Sequence, residues 1–318
     1  MGGNKGREKI SLIETINSKN ISKVLVLKGG VSEEKEVSDL TAESCIEALE
    51  KASFDVEALS LDARNINELA ELVKSKNPDV IFNALHGGAG EDGSIQGIFE
   101  TLKIPYTHSG VLSSAIAMDK FISKKLFKAS GLPVIEDLLL NSRDQLKRIP
   151  LIPPFVIKPN NGGSSVGVHF IRYKEEIEDV GEFNTHLDRR YILEKYIPGR
   201  ELTVAVLNGR PLTVTDIVTE DWYDYDAKYI SDKTQLIEVS KDNLQFQSIL
   251  DLSTKTFNAL GCSGWCRIDI LEDENFNLYV LEINTVPGMT SHSCVPKSGG
   301  FDGLSYDSVV KKIIDASS

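Results

Sequence analysis

The sequence predicts an α/β unit at the front of the chain and two α+β parts behind it, with boundaries near residues 108 and 194. Three observations carry this reading. β-branched runs alternate with helical ones up to residue 108, which implies a parallel sheet. From Pro153 the pattern changes to PFVIK, VGVHFI, YILEKYI, ELTVAVL and PLTVTDI, short β-rich segments with few helices between them. At 318 residues the chain is also too long for one ordinary core.

Residues 1–20 are polar and patternless apart from Ile10, Ile13 and Ile16, and are read as an extension. Lys23–Leu27 then reads as a buried strand, followed by a turn at Gly29 and Gly30 and a helix from Val37 to Lys51. Phe54–Leu59 and Val80–Leu85 are the next strands, the latter running into the glycine-rich HGGAGEDGS. Both glycine turns follow carboxyl ends of strands, where ligands gather in parallel sheets. Further on, Asn208–Gly209 between two β segments is a strong hairpin signal.

The composition, 41% hydrophobic and 26% charged, is that of a soluble globular enzyme. The start, MGGNKGREKI, has no apolar centre and no run approaches the ~18 apolar residues of a membrane span, so a cytoplasmic protein without membrane contact is expected. Four cysteines (45, 262, 266 and 294) lack metal-like spacing and read as reduced thiols. A net charge of −12 argues against nucleic-acid binding, so anionic ligands must be held by a few placed cations.

Two motifs mislead. Gly88, Gly90 and Gly93 form the dinucleotide pattern GxGxxG, but Glu91 and Asp92 lie inside the loop and would repel a pyrophosphate. Gly163-Ser164-Ser165-Val166-Gly167 matches a GxSxG elbow with Ser165 as nucleophile, which makes a serine hydrolase the reading from another reaction class. That elbow needs a helix next, and VGVHFI reads as a strand.

The most informative stretch is Arg267-Ile268-Asp269, an acidic turn, then Glu282-Ile283-Asn284. With Glu274–Asn277 as a four-residue hairpin loop, Asp269 faces Glu282 and Arg267 faces Asn284, all on one side. Two carboxylates and a carboxamide oxygen there suit Mg²⁺. A solvated outer face is the plainer alternative. It accounts for the alternation with Ile268, Ile270, Leu281 and Ile283, but not for the choice of polar residues. Lys158 ends a strand, and the loop 160–167 is pliable enough to fold over phosphates or to be an ordinary hairpin turn.

Eight segments in order, GGVSEEKEVS, HGGAGEDG, MDK, KPNNGGSSVG, EKY, YDYDAKY, CRIDI and LEINTVPGMTSHS, resemble the D-alanine–D-alanine ligase family over about residues 21–315. The resemblance implies a three-domain ATP-grasp architecture of class α/β and α+β with an N-terminal parallel-sheet domain: 21–108 for substrate, 109–194 central, and 195–318 bearing the metal and catalytic residues. It implies ATP as substrate, two Mg²⁺ (or Mn²⁺) held by Asp269, Glu282 and Asn284, and a homodimer. Lys120 and Lys158 match the phosphate lysines, and Gly163 and Ser165 the flap over the triphosphate. Glu194, Lys195 and Ile197 match the adenine contacts, and Glu201 the ribose contact. Glu34 with nearby His86 matches the first D-alanine's ammonium site, Arg267 and the Gly288 amide the oxyanion site, and Lys228 and Ser293 the clamp on the second carboxylate. Tyr229 and Ser164 match a hydrogen-bond chain ending on Glu34, and Asp221–Thr234 a lid.

The implied reaction makes an acyl phosphate of one D-alanine, which the amine of the second attacks, for peptidoglycan precursors. The relatives making D-alanyl-D-lactate or D-alanyl-D-serine are the alternatives, and a nucleotide-binding module without catalysis is the non-enzyme reading. Departures are Cys294 in place of an aliphatic residue at the second methyl pocket, where a reachable thiol is expected, His108 for a glycine, NNGG in the phosphate loop, and Lys28 at a strand end.

Overall fold

In a computed structural model of the chain, residues 21–149, 152–163, 167–179, 190–219 and 234–317 are described. The extension, Ser164, Ser165, Lys228, Tyr229 and residues 221–233 of the expected lid lie outside them.

The front part runs β1 (Lys23–Gly29), α1 (Lys35–Lys51), β2 (Asp55–Leu61), α2 (Leu69–Lys76), β3 (Val80–Asn83) and α3 (Ser94–Leu102). Its sheet has the order β2-β1-β3 with both pairings parallel, as the alternation predicts. Leu25 and Leu27 pack with Val73 of α2 and Phe99 of α3, while Val24 and Val26 pack with Ala42 and Leu49 of α1. Both faces are thus covered, which is why KVLVL is a continuous apolar run. Lys28, instead of ending the strand, lies within it and reaches Asp39 at 3.7 Å and Glu43 at 3.4 Å on α1. β3 stops at Asn83, short of the expected Leu85. The Asn83 side chain donates to Gly90 O (2.9 Å) and accepts from Leu85 N–H (3.1 Å), turning the chain into its loop.

After α4 (Val111–Met118) and α5 (Lys120–Ala129), strands β4 (Asp137–Leu140), β5 (Phe155–Pro159), β6 (His169–Ile171) and β7 (Tyr191–Lys195) form an antiparallel sheet ordered β4-β7-β5-β6. The last part comprises β8 (Gly199–Leu207), β9 (Arg210–Val218), β10 (Gln235–Glu238), α6 (Phe246–Ala259), β11 (Trp265–Asp273), β12 (Leu278–Asn284), α7 (Cys294–Phe301) and α8 (Tyr306–Asp315). Its antiparallel sheet is ordered β10-β9-β8-β11-β12. Asn208 and Gly209 take φ of 48° and 73° between β8 and β9, the two positive values that a type I′ hairpin turn requires.

The β11–β12 hairpin has the expected pairs, Arg267 with Asn284 and Asp269 with Glu282, by a different route. Its loop is one residue shorter than expected, since Asp273 N–H donates to Asn277 O, and a bulge at Leu281 restores the register. Val280, not Leu281, therefore joins Ile268, Ile270 and Ile283 in the core against α6. A second core crosses the molecule, packing Val26 and Phe82 of the front sheet with Ala205 and Trp265 of the last sheet and Val310 of α8. Among the described residues no helix is long and apolar enough to cross a membrane.

Candidate active site

Between the two antiparallel sheets lies a cleft of about 470 Å³. Its walls bring together Lys120, Lys158, Gly163, Glu194, Lys195, Ile197, Glu201, Asp269 and Glu282, residues that lie far apart in the sequence. Leu271 and, through the bulge, Leu281 add apolar surface.

Thr203, Asp269 and Glu282 stand side by side on adjacent strands of the cleft floor. Asp269 is buried and accepts from Thr203 Oγ1 at 2.8 Å. Arg267 grips it with Nε on Oδ1 (2.9 Å) and Nη2 on Oδ2 (2.7 Å), the fork geometry that a guanidinium offers a carboxylate. Lys120 Nζ lies 3.2 Å from Glu282 Oε2 and donates to Gly162 O at 2.6 Å. Asn284 Oδ1 accepts from Val286 N–H (2.9 Å), which fixes the carboxamide. Two carboxylates and an amide oxygen on one strand pair fit a hard divalent cation. Among the described residues no three His, Cys, Asp or Glu side chains form a metal cluster.

Lys120 is positioned by the N-terminus of α5, and Lys158 by strand β5. Asp119 caps α5 by accepting from Ile122 N–H (3.0 Å) and pairs with Arg190 (2.6 Å). Buried Asn160 accepts from Lys120 N–H on its carbonyl (3.1 Å) and from Phe121 N–H on its side chain (2.9 Å), tying the helix to the phosphate-loop strand. Lys158 Nζ lies 3.0 Å from Glu194 Oε2, and Lys124 contacts the other oxygen. Burial pushes the Glu194 carboxyl up, but the two ammonium charges outweigh it and hold the group at about 2. Lys195 and Tyr196 donate their N–H groups to Glu136 O and Pro154 O (3.1 Å each), which fixes the rim segment leading to Ile197.

A second group lies where the front sheet meets this floor. A Cβ built on Gly87 would come 2.6 Å from Glu34 Oε2, and one on Gly163 would come 3.4 Å from Oε1. The Glu34 carboxylate is therefore wedged between the HGGAG turn and the phosphate loop. His86 is buried, with Nδ1 2.8 Å from Ala84 O. Burial pulls its pKa down, so the neutral ring donates from Nδ1 and leaves a buried lone pair at Nε2, on the side of Gly288. A Cβ on Gly288 would meet Ser293 Oγ at 2.9 Å and His86 Nε2 at 3.8 Å, so these three converge. Ser293 Oγ accepts from Thr290 N–H at 3.0 Å. Cys294, in the first turn of α7, is 6% exposed, while the thiol was expected to be reachable in an open state of the site. His108 is a core histidine against Trp265, with burial pushing its pKa down to about 3.

Sequence reasoning passed over Thr203 and Lys124, and read Glu91 only as a charge inside the glycine-rich turn. Glu91 Oε1 accepts from Gly87 N–H (2.9 Å), and burial together with the Glu34 charge pushes its pKa to about 8. A loop donor is thus already taken by the loop's own carboxyl group, and this occupied donor, not a charge on Glu91, speaks against a pyrophosphate cradle. Downstream of Gly167 the chain enters strand β6, not the helix a GxSxG elbow needs.

Comparisons with known proteins agree with this geometry. The sequence model described as D-ala D-ala ligase C-terminus matches residues 126–315, and that described as D-ala D-ala ligase N-terminus matches 61–109. The chain is 42% identical over 294 residues to a D-alanine–D-alanine ligase of Cereibacter sphaeroides, covering 91% of this chain and 94% of the relative. It is 39% identical over 308 residues to that of Haemophilus ducreyi, covering 95% and 100%. Among solved structures it resembles the D-alanine–D-alanine ligase of Bacillus anthracis complexed with ATP, with a TM-score of 0.78, 34% identity, and 94% and 97% of the two chains covered.

Proposed function

The chain belongs to the D-alanine–D-alanine ligase family, and on that premise we propose how its residues divide the work. It is an ATP-dependent ligase that joins two D-alanines through an acyl phosphate. One observation carries the division: Asp269 and Glu282 stand opposite each other on the floor of the cleft that Lys120 and Lys158 enter.

ATP lies in that cleft with its adenine against Glu194 and the backbone of Lys195 to Ile197, and its ribose at Glu201. Lys120 and Lys158 take the phosphates, and the loop bearing Gly163 and Ser165 covers them. Glu34 holds the ammonium of the first D-alanine, with the buried Nε2 of His86 beside it. A carboxylate oxygen of that substrate attacks the γ-phosphorus, and the bond to the β-phosphate oxygen breaks to release ADP. The amine of the second D-alanine, its carboxylate on Lys228 and Ser293 and its methyl toward Cys294, attacks the acyl carbon, and inorganic phosphate leaves. Arg267 and the Gly288 N–H face the oxyanion; because Asp269 grips two guanidinium nitrogens, the remaining donors point at a fixed angle. Tyr229 and Ser164 join the lid to Glu34, so closure and ammonium recognition are coupled. Two Mg²⁺ (or Mn²⁺) ions held by Asp269, Glu282 and Asn284 would neutralise charge on the phosphate oxygens.

The parts 21–108, 109–194 and 195–318 are proposed as the three domains, and a cytoplasmic homodimer feeding peptidoglycan synthesis as the setting. The test is phosphate release from ATP with D-alanine, L-alanine or no amino acid, and release without D-alanine overturns the reading. Glu282→Gln and Asp269→Asn should each abolish ligation in a folded protein, because a neutral amide is a poorer magnesium ligand. Either variant within twofold of wild type at low magnesium removes the metal assignment.

A further inference from the structure

The division of work above leaves Lys124 without a part. Its side chain is 0% exposed, and it does not line the cleft. It sits on α5 one turn beyond Lys120, and its ammonium contacts Glu194 Oε1 while Lys158 Nζ lies 3.0 Å from Oε2. Glu194 and Lys158 do line the cleft, so one carboxylate separates a cation that can meet ATP from one that cannot.

Counting charges shows what the inner lysine does. With Lys124 present the three groups carry a net positive charge, and its accessible end is Lys158. Without it, Glu194 and Lys158 form a closed neutral pair in a place poor in water, where the attraction between them is strong. An incoming triphosphate would then have to break that pair. We infer that Lys124 is a positioning residue for ATP: it supplies the counter-charge of Glu194, which holds that carboxylate at the adenine end and leaves Lys158 to the phosphates. The inference rests on the assignment of Glu194 and Lys158 to ATP. Burial pushes the Lys124 pKa down, and the Glu194 carboxylate beside it works against that lowering.

Steady-state kinetics of Lys124→Met, Glu194→Gln, the double variant and Lys158→Met test it. Lys124→Met should raise KM for ATP about tenfold or more, with kcat and KM for D-alanine changed less than about threefold. A role in packing alone would not split the parameters in this way. Adding Glu194→Gln to Lys124→Met should bring KM for ATP back toward that of Glu194→Gln, since a neutral amide no longer competes for Lys158. A KM for ATP within about twofold of wild type in Lys124→Met, or no recovery in the double variant, overturns the inference. Should Lys124→Met fail to fold, the double variant is compared with Glu194→Gln: equal KM for ATP supports a route through Glu194, and a tenfold difference overturns it. Unchanged KM for ATP in both Lys158→Met and Glu194→Gln would instead sink the ATP assignment itself.

Discussion

Arg267 serves two groups with one guanidinium. Nε and Nη2 hold both oxygens of Asp269, and in the proposed reaction the oxyanion is the second group. Arg267→Lys keeps the charge but cannot fork, so kcat should fall about 100-fold or more while KM for ATP moves less than about threefold. Collapse of ATP affinity with turnover preserved would place Arg267 in the nucleotide site. Glu91 gives a prediction of another kind. Burial and the nearby Glu34 charge raise its pKa from 4.5 to about 8. The favourable contribution of the protonated form is complete below 4.5 and is lost as pH rises through about 8, because folding takes up a proton in that window. Glu91→Gln has no proton to gain, so its Tm should exceed that of wild type by a margin widening from about pH 5 to about pH 9. A margin flat across that range would show that Glu91 is ionised in the fold. Arg267 and Asp269 were legible in the sequence because alternation on a strand puts them on one face. Thr203 and Lys124 were not, nor was the raised pKa of Glu91: these arise from burial and from partners distant in the chain, which no local spacing encodes.

The β11–β12 hairpin shows how an element can be read correctly for an incomplete reason. A four-residue loop and a regular ladder give the same Asp269–Glu282 pair as the shorter loop with a bulge, because the extra residue offsets the missing one. Leu281 hides the difference, since an apolar residue suits either the core or the wall of an adenine-sized cleft. The structure separates the two: Leu281 lines the cleft, whereas Ile268 is 0% exposed against α6. Leu281→Ala should therefore cost less than about 1 kcal/mol of stability yet raise KM for ATP several-fold, while Ile268→Ala should cost about 2–5 kcal/mol. Denaturant unfolding and ATP saturation curves on both variants check this. A large stability loss in Leu281→Ala would put that side chain back in the core. The Asn208–Gly209 turn and the parallel front sheet were legible throughout, because turn chemistry and two-sided burial are written locally.

At the scale of the molecule, α1 links Glu34 to the segment that carries Gly288 and Ser293, the residues proposed for the first and second substrates. Glu34 stands at its N-terminus, and two turns on Thr41 Oγ1 accepts from Met289 N–H at 3.2 Å. Met289 is also held from the far end of the chain: Tyr306 Oη, at the start of α8, donates to Met289 O at 2.8 Å. The segment that carries Gly288 and Ser293 is thus clamped at Met289 between the front sheet's helix and the last helix. Periodicity predicts α1 but says nothing of this clamp, whose three members are drawn from both ends of the sequence. Tyr306→Phe leaves the ring in place and removes the hydroxyl's bond to Met289 O together with its longer contact to Cys45 Sγ (3.4 Å), the loss at Met289 amounting to about 0.5–1.5 kcal/mol. The loosened segment presents the Gly288 N–H and Ser293, while the ATP cleft, which neither residue lines, is untouched. The variant should raise KM for the second D-alanine about 2- to 12-fold with KM for ATP unchanged, the fold range being that energy converted at 1.4 kcal/mol per factor of ten. D-alanine saturation curves at fixed ATP, resolved into their two binding phases, measure it. If the ATP and D-alanine constants moved together, or if neither moved, α8 would be a structural support and not part of the coupling between the two substrate sites.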